Sequence, residues 1–204
     1  GANGMLYVAG MDTIYTIDPT SIDPNATKSA LAVGLFRPMS LAFNKSGSLY
    51  VAEWGRGQIS IVDIESGNAT RMETEFSRAV DVVFDQRKTM YVASDDEIFK
   101  VNDITGDFMR LGEKISQLGG LAYNDNENVL YFTSREGIFR LDPNSGKYIQ
   151  IAKGLSQPKG MAFDHKRNIL YVAEFDSNEI SRIKDLNGSG SLKNVAETVI
   201  LPKK

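Results

Sequence analysis

Five short polar segments of this sequence could do chemistry, and each follows an apolar segment of the type Leu-Tyr-Val-Ala. Carboxylates in such segments could act as general acids or bases or hold a divalent metal, and arginines could bind an anion. An aromatic ring could contact a ligand, and Trp54 is the only tryptophan of the chain. The five segments are Met11-Asp12, Glu53-Trp54-Gly55-Arg56, Ser94-Asp95-Asp96, Ser134-Arg135-Glu136 and Glu174-Phe175-Asp176.

Three cationic residues and one glutamine upstream of the apolar segments complete this set. We take Arg37, Arg78, Gln117 and Lys159 to be counterparts of one another there. With the five segments they predict a mixed-charge cup of loops, for which the alternative is a solvated rim with weak internal ion pairs. The predicted ligand-binding residues of this cup are Arg37, Glu53, Trp54, Arg56, Arg78, Asp81, Arg135, Lys159, Glu174 and Phe175.

No residue is predicted to be catalytic or to bind a metal. The only histidine, His165, falls in a predicted turn, and one histidine cannot form a multi-histidine metal centre. No Gly-x-Ser-x-Gly, phosphate-binding glycine-rich loop or His-Glu-x-x-His segment is present. The absence of cysteine excludes disulfides and thiolate chemistry but leaves the compartment open, with a secreted or extracytoplasmic location favoured.

Composition restricts the partners. The net charge of −3 argues against nucleic-acid binding, and no apolar run approaches the length of a membrane span. A protein, a peptide or a small-molecule ligand is therefore the expected partner of the cup.

The elements that must position these side chains repeat along the chain. Tyrosines 7, 50, 91, 131 and 171 are 43, 41, 40 and 40 residues apart, which is the period of a four-stranded propeller blade. The sequence therefore predicts an all-β propeller of about five blades, the first incomplete, in one domain over 1–204. Its repeats span about 1–34, 35–75, 76–114, 115–154 and 155–204.

One repeat shows the expected order of strands and turns. Apolar segments at 121–123, 129–133, 138–141 and 148–152 predict four strands. Asp142-Pro143-Asn144-Ser145-Gly146 predicts the last turn, because aspartate and asparagine can bind the backbone and glycine accepts positive φ. The recurrent tyrosine and phenylalanine positions predict packing between adjacent sheets.

The clearest repeat resembles a known family. Pro158-Lys159-Gly160-Met161-Ala162-Phe163-Asp164, followed by Asn168-Ile169-Leu170-Tyr171-Val172-Ala173-Glu174, resembles the NHL-repeat β-propeller. More loosely, the chain is similar to the six-bladed propellers related to strictosidine synthase and gluconolactonase. This resemblance implies that the chain could be a piece of a six-bladed propeller.

Gluconolactonase relatives hold a divalent metal through carboxylate and amide side chains, one of which follows a proline. This chain has Met39, Val80, Gly119 and Lys159 at the equivalent places, and none can supply that ligand.

Two functions compete. The leading hypothesis is a non-catalytic NHL-like scaffold that binds its ligand at the channel mouth and needs no cofactor. The alternative is a hydrolase or lactonase, or a strictosidine-synthase-like or lyase enzyme. It would use calcium or another divalent ion and take Glu53, Glu174 or Asp81 as acid, base or ligand. RNA recognition, known for some NHL proteins, lacks the basic surface it needs.

The ends of the repeat pattern predict a further contact. The first repeat lacks an innermost strand, and the sequence stops where the next innermost strand would begin. Exposed sheet edges associate readily, so we expect self-association through this open seam.

Overall fold

The computed structural model describes residues 4–21, 28–184 and 186–187 and the backbone of strand residues 196–199. These residues form strands and turns, with no helix among them. Nineteen described strands build five sheets, in each of which consecutive strands are neighbours. The all-β propeller fold predicted from the repeats is therefore present, and the five sheets are its blades.

The first blade has three strands and the other four have four, as the sequence predicted. The first consists of β1 (Leu6–Ala9), β2 (Thr13–Ile17) and β3 (Ser29–Val33). The second consists of β4 (Pro38–Phe43), β5 (Leu49–Glu53), β6 (Gln58–Val62) and β7 (Ala69–Glu75). The third consists of β8 (Ala79–Phe84), β9 (Met90–Ser94), β10 (Glu97–Val101) and β11 (Phe108–Leu111).

The last two blades continue the pattern. The fourth consists of β12 (Leu121–Asn124), β13 (Val129–Ser134), β14 (Gly137–Leu141) and β15 (Tyr148–Ala152). The fifth consists of β16 (Pro158–Asp164), β17 (Ile169–Glu174), β18 (Glu179–Ile183) and β19 (Ala196–Val199). The four strands predicted for the fourth blade are confirmed to within one residue at each end.

Tyrosine and phenylalanine rings pack between neighbouring blades. A tyrosine of one blade meets the phenylalanine near the end of the next blade's innermost strand. This tyrosine is on the second strand of a four-stranded blade and on β1 of the three-stranded first blade. The pairs are Tyr7 with Phe43 at 5.0 Å, Tyr50 with Phe84 at 4.8 Å and Tyr131 with Phe163 at 5.9 Å between ring centroids. The predicted packing role of these positions is thus confirmed for three pairs, which have the separations of favourable aromatic contacts.

In the second, third and fourth blades, an aspartate or asparagine side chain holds the turn before the outermost strand. Asp142 accepts the N–H of Asn144 at 2.9 Å, and Asp63 accepts those of Glu65 at 2.9 Å and Ser66 at 2.8 Å. In the third blade the accepting side chain is Asn102, which takes the N–H of Ile104 at 2.9 Å, and the aspartate beside it, Asp103, does not hold the turn.

The chain divides into two compact units whose boundary passes through the third blade. One unit contains Gly1–Asp95 and Lys100–Met109, and the other contains Asp96–Phe99 and Arg110–Lys204. The expectation that 1–204 forms a single domain stays a prediction. Within the described residues no helix is long and apolar enough to cross a membrane.

Candidate functional site

Trp54 is the centre of a cluster that brings together three of the predicted cup residues. It follows β5 and is half-buried, with the Arg37 guanidinium carbon 4.1 Å from the centroid of its ring. The corresponding carbon of Arg78 lies 5.7 Å from the same centroid. Arginine groups over an indole ring are attracted by its π-system, so Trp54 holds both cations in place. We call Arg37, Trp54 and Arg78 the tryptophan cluster.

The two arginines of the tryptophan cluster differ in their other contacts. Arg78 forms an ion pair with Asp95 through its Nε. Arg37 is exposed and forms no ion pair with any residue the structure describes. Its guanidinium donors are therefore available to an anion from solution.

Backbone hydrogen bonds fix the relative position of the cluster residues. Trp54 N donates to Arg37 O at 3.1 Å, and Arg37 adopts the left-handed conformation with φ 55°. In the fifth blade, Phe175 N donates to Gln157 O at 3.1 Å, and Gln157 has φ 53°. The counterpart of Arg37 is therefore Gln157, and the sequence-based assignment of Lys159 to that position was wrong. Lys159 lies two residues later, exposed on β16.

Glu53 is fully buried and binds inside the second blade. One carboxylate oxygen accepts the N–H of Phe36 at 2.6 Å, and the other accepts the hydroxyl of Ser60. Two guanidinium groups lie farther off, those of Arg56 at 3.8 Å and Arg71 at 4.0 Å from its oxygens. The carboxylate thus ties the loop before β4 to β6.

Glu174 makes the same contacts in the fifth blade. Its oxygens accept the N–H of Ser156 at 2.6 Å and the hydroxyl of Ser181, and the residue is 7% exposed. Both predicted carboxylates therefore have both oxygens occupied by the chain itself. Buried acceptors that are satisfied in this way stabilise the blade.

Asp81 joins two innermost strands. Its Oδ1 accepts the hydroxyl of Ser40 and also the N–H of Val82 at 2.8 Å. Ser40 is on β4 and Asp81 is on β8. This partly buried carboxylate therefore contributes to packing between the second and third blades.

The remaining predicted residues lie at the rim of their own units. Arg56 places its guanidinium over Phe36 at 5.3 Å and donates to Gly34 O at 3.4 Å. Phe175 is 68% exposed, and Arg135 is exposed in the turn between β13 and β14. Phe175 is thus the exposed aromatic residue that a ligand could contact in the second unit.

The residues do not fit the metal site of a gluconolactonase. No group of three histidine, aspartate or glutamate side chains that could hold a metal occurs in the described part of the chain. At Gly119, one of the four equivalent positions, a side chain would collide with the Thr133 hydroxyl. Thr133 instead donates to Lys159 O at 2.8 Å, so the space of a ligand is occupied by internal hydrogen bonds.

Comparison with known proteins shows the fold. No family model and no curated protein matches the chain. Solved structures do match, at 13–16% identity. The chain has a β-propeller fold. The predicted resemblance to NHL-type and gluconolactonase-type propellers is confirmed at that level.

Three of the similar structures differ in what they do. A gluconolactonase from Xanthomonas campestris is 13% identical with a TM-score of 0.77, over 90% of this chain and 70% of that one. A chain of a nidogen/laminin complex is 14% identical with a TM-score of 0.81, over 91% and 76%. A catalytically inactive virginiamycin B lyase from Staphylococcus aureus, with quinupristin, is 16% identical with a TM-score of 0.65, over 92% and 62%. One fold thus accompanies several functions.

Proposed function

We propose that this chain is a non-catalytic NHL-like scaffold that binds a protein, a peptide or a small ligand at its tryptophan cluster. The observation that supports this is the stacking of Arg37 and Arg78 on Trp54. Tryptophan and arginine are among the residue types that most often dominate the binding energy of protein interfaces. The ligand should therefore present an anionic group beside an apolar one.

The similar structures are compatible with this proposal. One of them is part of a nidogen/laminin complex, so a propeller of this kind can take part in a protein assembly. Two others are a gluconolactonase and a virginiamycin B lyase, which keep the enzyme alternative open. That alternative requires Glu53, Glu174 or Asp81 to act on a substrate, and each of them already accepts two hydrogen bonds from the chain.

Trp54 supplies the readout of the test, because it is the only tryptophan and its fluorescence reports on the cluster alone. The chain is screened against an array of acidic and neutral peptides, and retained peptides are titrated while the emission is followed. We expect acidic peptides with apolar residues to bind and to change the emission. Arg37→Gln should weaken binding about tenfold, as expected for one charge-assisted hydrogen-bond pair. Arg167→Gln is the matched control, because Arg167 is exposed in the turn between β16 and β17 and is not among the predicted ligand-binding residues, and it should leave binding unchanged.

A metal titration tests the enzyme alternative. The purified chain is assayed for bound metal, and calcium is titrated against its thermal midpoint. Stoichiometric metal and a midpoint that rises with calcium would contradict the scaffold proposal, because a ligand that binds only the folded state stabilises it. If the chain retains no peptide, or if Trp54→Ala and Arg37→Gln leave peptide binding unchanged, the tryptophan cluster is not the binding site.

A further inference from the structure

Two grooves lie at equivalent places in the second and third blades. Each is formed where the turn between the first two strands approaches the turn between the last two. The groove of the third blade has a volume of about 550 Å³ and that of the second about 440 Å³. Equivalent hydrogen bonds shape both, from Gly106 N to Asn102 O at 2.9 Å and from Gly67 N to Asp63 O at 2.8 Å. The backbone therefore builds the same groove twice, and differences in its lining are not imposed by the fold.

The charges of the two grooves differ. Three cations line the groove of the third blade: Arg87, Lys88 and Lys100. The equivalent residues of the second blade are uncharged: Ser46, Gly47 and Ile61. That groove is lined by two carboxylates and no cation, in a chain whose net charge is −3. The third-blade groove thus gathers three cations although the protein as a whole carries a negative net charge.

The carboxylates of the third-blade groove accept hydrogen bonds from the chain itself, whereas two of its cations form no ion pair with a described residue. Asp103 accepts the hydroxyl of Tyr50 at 3.4 Å, and Asp107 accepts that of Thr105 at 2.7 Å. Lys88 donates to the hydroxyl of Ser46 at 3.1 Å. Arg87 and Lys100 form no ion pair with a described residue. These two cations are the ones available to an anionic ligand.

Apolar side chains line the same groove. Ile104 is 90% exposed, Met109 59% and Phe108 52%, and Phe108 packs on Phe76 with ring centroids 5.8 Å apart. The equivalent residues of the second blade are Glu65, Thr70 and Ala69. Exposed apolar side chains grouped in this way are typical of a binding surface.

We propose that the groove of the third blade binds a small amphiphilic anion. Its apolar body packs on Ile104, Phe108 and Met109, and its anionic head accepts hydrogen bonds from Arg87 and Lys100. The volume of about 550 Å³ is within the range of small-molecule sites, which favours a small molecule over a peptide strand. This site is separate from the tryptophan cluster, so it adds a second ligand to the proposed function.

The test uses octanoate as the anion and octan-1-ol as its uncharged analogue. Both are titrated into the isotopically labelled chain while backbone amide resonances are recorded. We expect saturable octanoate shifts at residues 87–89 and 100–109, and binding of octan-1-ol about tenfold weaker, because it lacks the charge-assisted hydrogen bonds. The indole resonance of Trp54 should not move.

Variants taken from the second blade provide the controls. Lys100→Ile and Ile104→Glu each introduce the residue that the equivalent groove already accommodates, so we expect the fold to persist and octanoate affinity to fall about tenfold. Glu65→Gln changes one charge in the other groove and should leave the affinity unchanged. Equal binding of alcohol and carboxylate would overturn the proposal. Affinity unaffected by the two groove variants, or shifts centred on Trp54, would do so as well. The octanoate test does not depend on the tryptophan cluster, so the expected results at the groove are the same if no peptide binds at Trp54.

Discussion

At the scale of single residues, two kinds of side-chain pair occupy the same position in different blades. The position lies at the end of the Leu-Tyr-Val-Ala-type strand, and its partner is on the following strand. Where the second strand ends in glutamate, the third strand carries serine, as in Glu53 with Ser60 and Glu174 with Ser181. In the third and fourth blades the second strand ends in serine and the third strand carries phenylalanine, Ser94 with Phe99 and Ser134 with Phe139. In the three-stranded first blade the corresponding pair is Gly10, directly after β1, and Tyr15 on β2.

The geometry explains this exchange. A side chain at Gly10 would have its Cβ 2.8 Å from the ring of Tyr15, so the ring occupies the space that a glutamate fills in the second and fifth blades. The two positions are neighbours across the strand pair, where they must share one volume. Comparison of the repeats with one another could have shown that Glu53 and Glu174 belong to a packing pair.

The first prediction concerns Glu53. Glu53→Ala should lower the free energy of unfolding by about 2–3 kcal/mol, because it leaves the buried Ser60 hydroxyl and the partly buried Phe36 N–H without their acceptor. Ser60→Ala removes one partner and should cost less. Denaturant unfolding of the three proteins measures both values. A loss for Glu53→Ala below about 0.5 kcal/mol, the size of an ordinary surface substitution, would show that water replaces the carboxylate.

The second prediction compares two glycines with positive φ. Gly57 has φ 64°, and a Cβ there would collide with the carbonyl oxygen of Phe76, whereas Gly47 has φ 85° and open space around it. Gly57→Ala should therefore destabilise the protein by about 3 kcal/mol or more, and Gly47→Ala by about 1–2 kcal/mol. Thermal or denaturant unfolding gives the comparison. Equal losses would mean that the loop after β5 moves to accept the methyl group.

At the scale of elements, the turns before the outermost strands depend on one side-chain acceptor. Hydrogen bonds from the N–H groups of Ser66 and Glu65 lower the pKa of Asp63 below its usual value of 3.8. The pKa of Asp142 is lowered by the N–H of Asn144 and the hydroxyl of Ser145. The ionised form is thus stabilised by folding in both turns. In the third blade the uncharged side chain of Asn102 accepts the equivalent hydrogen bonds, from the N–H groups of Ile104 and Thr105.

The third prediction follows from this difference. Because the pKa of Asp63 is lower in the folded chain, its contribution is present above the unfolded pKa and is lost as the pH falls through the folded pKa. Between about pH 5 and pH 2, the thermal midpoint of Asp63→Asn should therefore decrease less than that of the wild type. Asn102→Asp should have the opposite effect. Parallel pH profiles for all three proteins would exclude a role of these turns in acid stability.

The strands could be predicted from the sequence, but the contacts of the candidate site could not. Short continuous apolar segments separated by polar turns predict the strands of the fourth blade, in which β12 and β13 are buried along their whole length. The innermost strands β4 and β16 contain equivalent pairing irregularities, between Pro38 and Ser40 and between Pro158 and Met161. Both follow the proline, so the residue before it is the counterpart in each blade, Arg37 in one and Gln157 in the other. The assignment of Lys159 to that position was therefore two residues too far along the chain, and the alignment of Met39 with Lys159 already indicated Gln157. The grooves also escaped prediction, since their lining comes from two turns far apart in sequence.

At the scale of the whole molecule, β1 is an edge strand that pairs on one side only within the part of the chain that the structure describes. Leu6 and Val8 of β1 are 53% and 41% exposed, and β1 pairs with β2 on one side. The other side of the predicted seam, at 185–204, falls largely outside the described residues. An apolar edge strand tends to pair with another chain, so self-association remains the expectation.

The fourth prediction tests that expectation. The chain should elute as more than a monomer in light-scattering chromatography, and Leu6→Lys with Val8→Lys should shift it towards the monomer, because charged side chains discourage edge pairing. Met11→Lys is the control, as Met11 is 87% exposed but lies in the turn after β1. A monomeric wild type whose stability is unchanged by flanking sequence would show that the edge needs no partner.

The tyrosine–phenylalanine pairs have a consequence for how the protein loses its structure. They link the first blade to the second, the second to the third, and the fourth to the fifth. A chain whose parts are stabilised mainly by their immediate neighbours unfolds like a row of coupled units. The rates of amide hydrogen exchange should then differ from blade to blade. The three-stranded first blade should open first, and its opening should raise the exchange rates mainly of the second blade.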